Sequence, residues 1–122
     1  MNIEFYKNIG TLFYAIAKAD DNLAFEEYTK LTDCLERDWN LFETSTVEII
    51  KEQFNHLQSQ DKLASDCFDS FVDFLHQNPE LFDSELKSLI LKTANDIAYA
   101  FSKINKSELT YVAKLNIEFK KT

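Results

Sequence analysis

Residues 15–27 read AIAKADDNLAFEE, and residues 96–108 carry a weaker copy of the same segment, DIAYAFSKINKSE. Each copy places small residues at the end of an apolar helix, then a short polar turn with one aliphatic residue, then a glutamate at the start of the next helix. The matched positions are Ile16 and Ile97, Ala17 and Ala98, Ala19 and Ala100, Leu23 and Ile104, and Glu27 and Glu108. The repeat predicts two similar helix-turn-helix units, one towards each end of the chain.

The composition of the 122-residue chain favours a single all-α domain over residues 1–122. The chain has one Gly and one Pro, whereas strand-rich folds use many of both in their turns. Apolar residues make up 45% of the sequence, and eleven residues are Phe, so a large aromatic core is expected. We therefore expect a compact bundle of about six helices.

The charge and the absence of targeting signals indicate where the protein works and what it binds. A net charge of −8 repels phosphate backbones, so no nucleic-acid partner is expected, and another protein with a basic surface or a divalent cation is the compatible partner. The N-terminus lacks the pattern of a signal peptide, and no apolar run approaches the roughly 20 residues of a transmembrane helix. The two cysteines have no C-x-x-C spacing, as in a reduced, cytoplasmic protein.

Apolar residues that recur at helical spacing predict six helices. The predicted segments are about 2–19, 25–39, 46–57, 61–78, 84–101 and 105–119. The third is predicted to begin with a capping box from Ser45 to Glu48, the fourth with Asp61 as N-cap and the sixth with Asn105 as N-cap. Gly10 lies inside the first helix, where it predicts a close contact with a neighbouring helix rather than a break.

The first copy of the repeat has the pattern A-x-A-D followed by an aliphatic residue and a glutamate, in Ala17, Ala19, Asp20, Leu23 and Glu27. This pattern, between two apolar helices, resembles the TerB-like tellurite-resistance domain. The resemblance implies a compact all-helical domain built from two pseudo-repeated helical hairpins. It also implies a genetic link to bacterial tellurite and stress resistance, with no reaction established for the family. Some members are thought to present acidic residues to a cation, and others to act as interaction modules at the membrane-associated stress apparatus.

Two departures from the family pattern affect this expectation. Asp21 or Asn22 stands where the family usually has Gly, and both residue types tolerate the left-handed backbone that such a turn needs. In the second copy the acidic position holds Phe101, followed by Ser102. An ion site that uses matching acids from both copies is therefore not expected here.

The densest group of oxygen ligands lies in the first turn of the repeat. Its members are Asp20, Asp21, Asn22, Glu26 and Glu27. Hard divalent cations need several such oxygens at once, so this turn is the candidate metal site. An EF-hand is excluded, because its twelfth position requires a glutamate and here holds Leu31. The alternative is structural: Asp20 or Asp21 caps the second helix, and the two glutamates stabilise its positive end.

Two aromatic residues, Trp39 and Phe42, lie between the second and third helices. In the core they would hold this part of the bundle together, and if exposed they would be natural anchors for a partner protein. The cysteines and histidines lack the local spacing of metal ligands and are predicted to be structural. These residues are Cys34, Cys67, His56 and His76.

Together with the missing catalytic motifs, the resemblance to TerB-like domains implies a non-enzymatic, cytosolic binding or scaffold domain that acts in a bacterial tellurite or stress response. The sequence contains no Gly-rich phosphate loop, no G-x-S-x-G and no H-E-x-x-H motif, so no catalytic or cofactor-binding residue is assigned. A divalent cation is the one candidate cofactor. The alternative function is a divalent-metal-binding or metal-sensing protein that uses the acidic turn Asp20–Glu27.

Overall fold

The computed structural model describes residues 3–19, 25–39, 42, 44–102 and 106–122, and for 25–28, 30, 99–102 and 106–109 it describes the helical backbone alone. The described residues form six α-helices, a single 3-10 turn and no strand, which confirms the predicted all-α bundle. The helices are α1 (Ile3–Ala17), α2 (Phe25–Asp38), α3 (Thr44–Ser59), α4 (Ala64–Gln77), α5 (Ser84–Ser102) and α6 (Lys106–Lys121), with the 3-10 turn at Pro79–Leu81.

Helix α1 is the centre of the bundle. It packs against α3, α4, α5 and α6, and its residues are buried without interruption from Ile9 to Ala17. A helix that faces water on one side would show a single apolar stripe, whereas α1 is enclosed on all sides from Ile9 to Ala17. Thr11 and Tyr14 are buried although their side chains carry hydroxyl groups. The apolar spacing of the sequence therefore marks only one face of α1 as buried.

Gly10 is confirmed as a close contact between helices. It is buried where α1 meets α3, and a β-carbon added to it would lie 2.7 Å from the backbone oxygen of Ile50 and 3.0 Å from Cβ of Gln53. Both distances are shorter than ordinary van der Waals contact. The absence of a side chain at Gly10 therefore lets the two helices approach.

Two of the predicted helix starts are wrong. Helix α3 begins at Thr44, so Ser45 and Glu48 lie within it and do not form a capping box at its start. Helix α4 begins at Ala64 after Leu63, which provides no side-chain cap. Asp61 instead occupies the preceding turn with a φ of 51°, and its carboxylate accepts a hydrogen bond from Lys18 at 2.7 Å. Sequence spacing identified these helices but not the turn at which each begins.

The other helix boundaries follow local chemistry. Helix α4 ends at Gln77, directly before Asn78 and Pro79, as predicted. Helix α5 begins after Asp83, whose carboxylate accepts the backbone N–H of Leu86 at 2.8 Å. The predicted N-cap of α6, Asn105, lies outside the described residues.

A cluster of phenylalanines closes one end of the core. The ring of Phe82 lies 5.1 to 6.2 Å from the rings of Phe5, Phe71, Phe74 and Phe119. These rings come from α1, α4, α6 and the segment before α5, so one residue outside the helices joins three of them. Tilted and edge-to-face ring pairs of this kind stabilise a core beyond the area that they bury.

The two copies of the repeat have comparable burial but different helix packing. Ala17 and Ala98 are both buried, near the ends of α1 and α5. Helix α5 packs against α6, whereas α2 packs against α5 and α3. A common origin of the two units stays a prediction. No helix in the described part of the chain has the length and apolar character needed to cross a lipid bilayer.

Candidate binding surface

The predicted metal turn falls largely outside the described part of the chain. This applies to Asp20, Asp21 and Asn22, and for Glu26 and Glu27 only the backbone of the first turn of α2 is described. Elsewhere, no three His, Cys, Asp or Glu side chains among the described residues are grouped so that they could hold one metal ion. The cation hypothesis therefore stays a prediction from the sequence.

Trp39 is a core residue. Its side chain is 0% exposed, and its indole N–H donates a hydrogen bond to Oγ1 of Thr93 at 2.9 Å. The hydroxyl of Thr93 in turn donates to the backbone oxygen of Leu89, one turn earlier in α5. The indole also meets the ring of Phe13 edge to face, at 6.0 Å. Trp39 therefore joins the end of α2 to α1 and α5, and this buried ring does not offer a surface to a partner.

Phe42, the other predicted anchor, lies at the surface. It is half-buried, and its ring packs on Trp39 at 5.0 Å and meets Tyr6 edge to face at 6.3 Å. These contacts hold the ring on the outside of the core. A hydrophobic ring that is both fixed and partly exposed is the usual form of an anchor at a protein interface.

A groove open to solvent lies on one side of Phe42, between the end of α2 and the start of α5. Its volume is about 440 Å³, and we call it the Phe42 groove. Its apolar part is Phe42, Leu86 and Leu89, and its polar part consists of three carboxylates. The carboxylates are Asp38, Asp83 and Glu85. The groove thus combines an apolar surface with negative charge.

A smaller groove of about 270 Å³ lies on the other side of the same ring, between α2 and α3. It is bordered by Glu36, Phe42, Thr44, Val47, Glu48 and Lys51, and the fully buried Leu35 and Trp39 lie beneath them. Lys51 lies 3.3 Å from Glu48 and 3.7 Å from Glu36, so the charges of this groove neutralise one another in part. The charged residues that line the Phe42 groove are all acidic, whereas the smaller groove has charges of both signs.

Four charged side chains fix the wall of the Phe42 groove. Arg37 donates to both carboxylate oxygens of Asp38 and, at 2.6 Å, to Asp96 of α5. Lys92 donates to Asp38 at 3.0 Å and to Asp96 at 3.2 Å. The hydrogen bonds from Arg37, helped by Lys92, lower the pKa of Asp38 to about 2 against the opposing effect of burial. Asp38 is therefore ionised at neutral pH and joins α2 to α5.

The cysteines and histidines of the described structure do not form a reactive pair. Cys34 and Cys67 are free and buried, and burial raises the pKa of each thiol, so neither is a ready nucleophile. His76 is exposed at the end of α4, where its Nε2 lies 2.7 Å from a carboxylate oxygen of Glu118 on α6. These positions fit structural roles for all three residues.

Sequence reasoning found one side of the Phe42 groove and missed the other. The sequence marks Phe42 as a candidate anchor, but its helical spacing also places Leu86 and Leu89 on the apolar, inward face of α5, and it gives no role to Asp83 or Glu85. The two leucines are only half-buried. The position of Asp83 before a predicted helix was an available signal of its capping role, but nothing local to α5 shows that α2 ends beside it.

The chain has no match among models of known protein families, among curated proteins or among solved structures.

Proposed function

We propose that this chain is a non-enzymatic protein-binding or scaffold domain, that it is cytosolic, and that it serves a role like that of the TerB-like domains in bacterial tellurite or stress resistance. The observation that carries the binding role is the Phe42 groove, in which a fixed, partly exposed ring adjoins two half-buried leucines and three carboxylates. The TerB-like role rests on the sequence pattern of the first repeat.

The chemistry of the Phe42 groove suits a segment of another protein that carries an apolar side chain beside a lysine or arginine. The apolar side chain would cover Phe42 and Leu86, since burying such a side chain contributes about 1.5–3 kcal/mol. The basic group would lie near Glu85, which is exposed and makes no ion pair with a described residue. Asp38 is already paired with two cations and serves to hold the wall of the groove.

Charge reversal at Glu85 tests this proposal. We expect Glu85→Lys to weaken binding of the partner by about tenfold, because it removes an attraction and adds a repulsion at the edge of the groove. A partner captured from the source cell's extract with the unaltered chain would be purified and titrated by calorimetry against both forms. Glu52→Lys makes the same change of charge at an exposed position of α3 that lines neither groove beside Phe42, and it should bind as the unaltered chain does. Equal losses in both variants would contradict the proposal.

The acidic turn Asp20–Glu27 supports the alternative, a divalent-metal-binding or metal-sensing protein, because it is the densest set of oxygen ligands in the sequence. Thermal unfolding in Ca²⁺, Mg²⁺, Mn²⁺ and Zn²⁺ separates the two functions. A cation at about 100 times its Kd would add about 2.7 kcal/mol to the stability and several degrees to Tm. For a scaffold domain we expect Tm to be unchanged. A rise in Tm that the double variant Asp20→Asn, Asp21→Asn abolishes would establish the metal function instead.

A further inference from the structure

Helices α4 and α6 run side by side in the same direction and leave a groove between them. The rings of Phe68 and Tyr111 lie 4.9 Å apart near one end, and His76 and Glu118 are 2.7 Å apart near the other. Both helices advance by about two turns between these contacts. The space between them is a groove of about 480 Å³, the α4–α6 groove. It is lined by Ser65, Phe68, Asp69, Val72, Tyr111, Lys114, Ile117 and Glu118.

The inside of the α4–α6 groove is apolar. Phe68 is buried, Val72 and Tyr111 are half-buried, and Ile117 is 54% exposed. Leu63, which is 61% exposed, precedes α4 at the same end as Ser65. Ile117 and Leu63 are two of the three large hydrophobic side chains that are exposed in the described part of the chain. Val72, Tyr111 and Ile117 together expose apolar surface along the groove, and adjoining apolar side chains mark an interaction surface, whereas single ones are ordinary.

The α4 edge of the groove carries negative charge that the described structure does not neutralise. Asp66, Asp69 and Asp73 are exposed on successive turns of α4, and Ala64–Gln77 contains no lysine or arginine. None of the three makes an ion pair with a described residue. Burial, and to a lesser extent the charge of Asp69, raises the pKa of Tyr111 across the groove. Asp69 itself lines the groove together with Tyr111, so its charge lies beside the apolar interior.

The α6 edge is close to neutral by comparison. Lys114 lies over the ring of Tyr111, 5.6 Å from its centroid, and faces no described carboxylate within ion-pair distance. Glu118 is held by Lys121 at 3.2 Å and by His76. A ligand of the groove therefore meets negative charge along α4, and charges of both signs along α6.

We propose that the α4–α6 groove binds an amphipathic α-helix of a partner protein, with apolar side chains in the groove and lysines or arginines facing Asp66, Asp69 and Asp73. Its lining residues recur every three or four positions on both helices, which is the spacing that the ridges of a third helix require. The backbone hydrogen bonds of α4 and α6 are made within each helix, so an extended peptide would find few backbone groups to bind. A helical ligand makes its backbone hydrogen bonds internally and needs none from the groove.

Charge excludes the other occupants. A second copy of this chain carries the same net charge of −8, and a symmetric pairing of two α4–α6 grooves would place acid against acid along α4. An RNA or an anionic membrane would be repelled in the same way. The α4–α6 groove and the Phe42 groove have no lining residue in common, so either site can fail a test while the other stands.

A designed peptide tests the proposal directly. The probe is a fluorescein-labelled peptide of about 18 residues, about 27 Å long as a helix, with leucine along one face, lysine along one flank and alanine elsewhere. Fluorescence anisotropy with the full chain should give a Kd in the micromolar range that rises as salt is added. A scrambled peptide of the same composition, and one with glutamate in place of lysine, should bind at least about tenfold more weakly, because the first lacks an apolar face and the second repels α4.

Two sets of variants locate the binding site. Ile117→Ser should raise the Kd about tenfold, whereas Ile3→Ser, at a residue with the same 54% exposure on α1, should leave it unchanged. The triple variant Asp66→Asn, Asp69→Asn, Asp73→Asn should also raise the Kd about tenfold. The control triple variant Glu4→Gln, Glu52→Gln, Glu80→Gln, at exposed positions outside the groove, should raise the Kd far less. Absence of binding, equal binding of the scrambled peptide, or equal effects of a variant and its control would each overturn the proposal.

Discussion

Replacement of Trp39 by alanine is expected to lower the free energy of unfolding by about 3–5 kcal/mol. The indole is 0% exposed and joins the end of α2 to α1 and α5, so its removal leaves a large cavity at a point where three helices meet. A loss of this size is a large part of the roughly 5–15 kcal/mol that stabilises a typical domain. Urea unfolding followed by circular dichroism measures it, since Trp39 is the only tryptophan and its fluorescence is lost in the variant.

A second substitution separates the hydrogen bond of Trp39 from its packing. Thr93→Val keeps the shape of the side chain but leaves the indole N–H buried without the Thr93 acceptor, which should cost about 1–3 kcal/mol. Thr29→Val makes the same exchange at an exposed position of α2 and should change stability by less than about 0.5 kcal/mol. If Thr93→Val were as stable as the unaltered protein, the bond from Trp39 to Thr93 would not contribute to the fold.

The helical architecture was predictable because it depends on short-range patterns. Apolar residues at helical spacing gave all six helices, and Asn78 with Pro79 gave the end of α4. The residue at which each helix starts was harder to predict, because an N-cap residue is defined by lying just outside the helical conformation. Thr44 is already helical, so the motif at Ser45 lies inside α3, and Asp61 bonds Lys18 rather than the start of α4.

The grooves were not predictable because they depend on which helices become neighbours. The Phe42 groove brings Asp38 and Phe42 beside residues 83–89, and only the packing of α2 against α5 makes these positions adjacent. The charge network of Arg37, Asp38, Lys92 and Asp96 has the same origin, although each of these residues reads in the sequence as an ordinary solvated charge. Trp39 and Phe42 were recognisable as a pair, but only their neighbours decide that one is core and the other surface.

Gly10→Ala is the sharpest test of the central packing, because the usual effect of this exchange has the opposite sign. In an exposed helix, alanine in place of glycine stabilises by about 0.8–1.0 kcal/mol. Here the new methyl group would meet the backbone oxygen of Ile50 at 2.7 Å, and a backbone atom within α3 cannot rotate aside. Helices α1 and α3 would have to separate, so we expect a net loss of about 1–3 kcal/mol in the free energy of unfolding.

Urea unfolding of Gly10→Ala beside Ser88→Ala distinguishes packing from helix propensity. Ser88 is exposed in the second turn of α5, so alanine there should have little effect or stabilise slightly, by up to about 0.5 kcal/mol. Opposite signs for the two variants would show that the approach of α1 to α3, rather than the flexibility of glycine, determines the residue at position 10. If both variants were stabilised, α1 would have room to move away from α3, and the enclosure of α1 by its neighbours would not require a glycine at this contact.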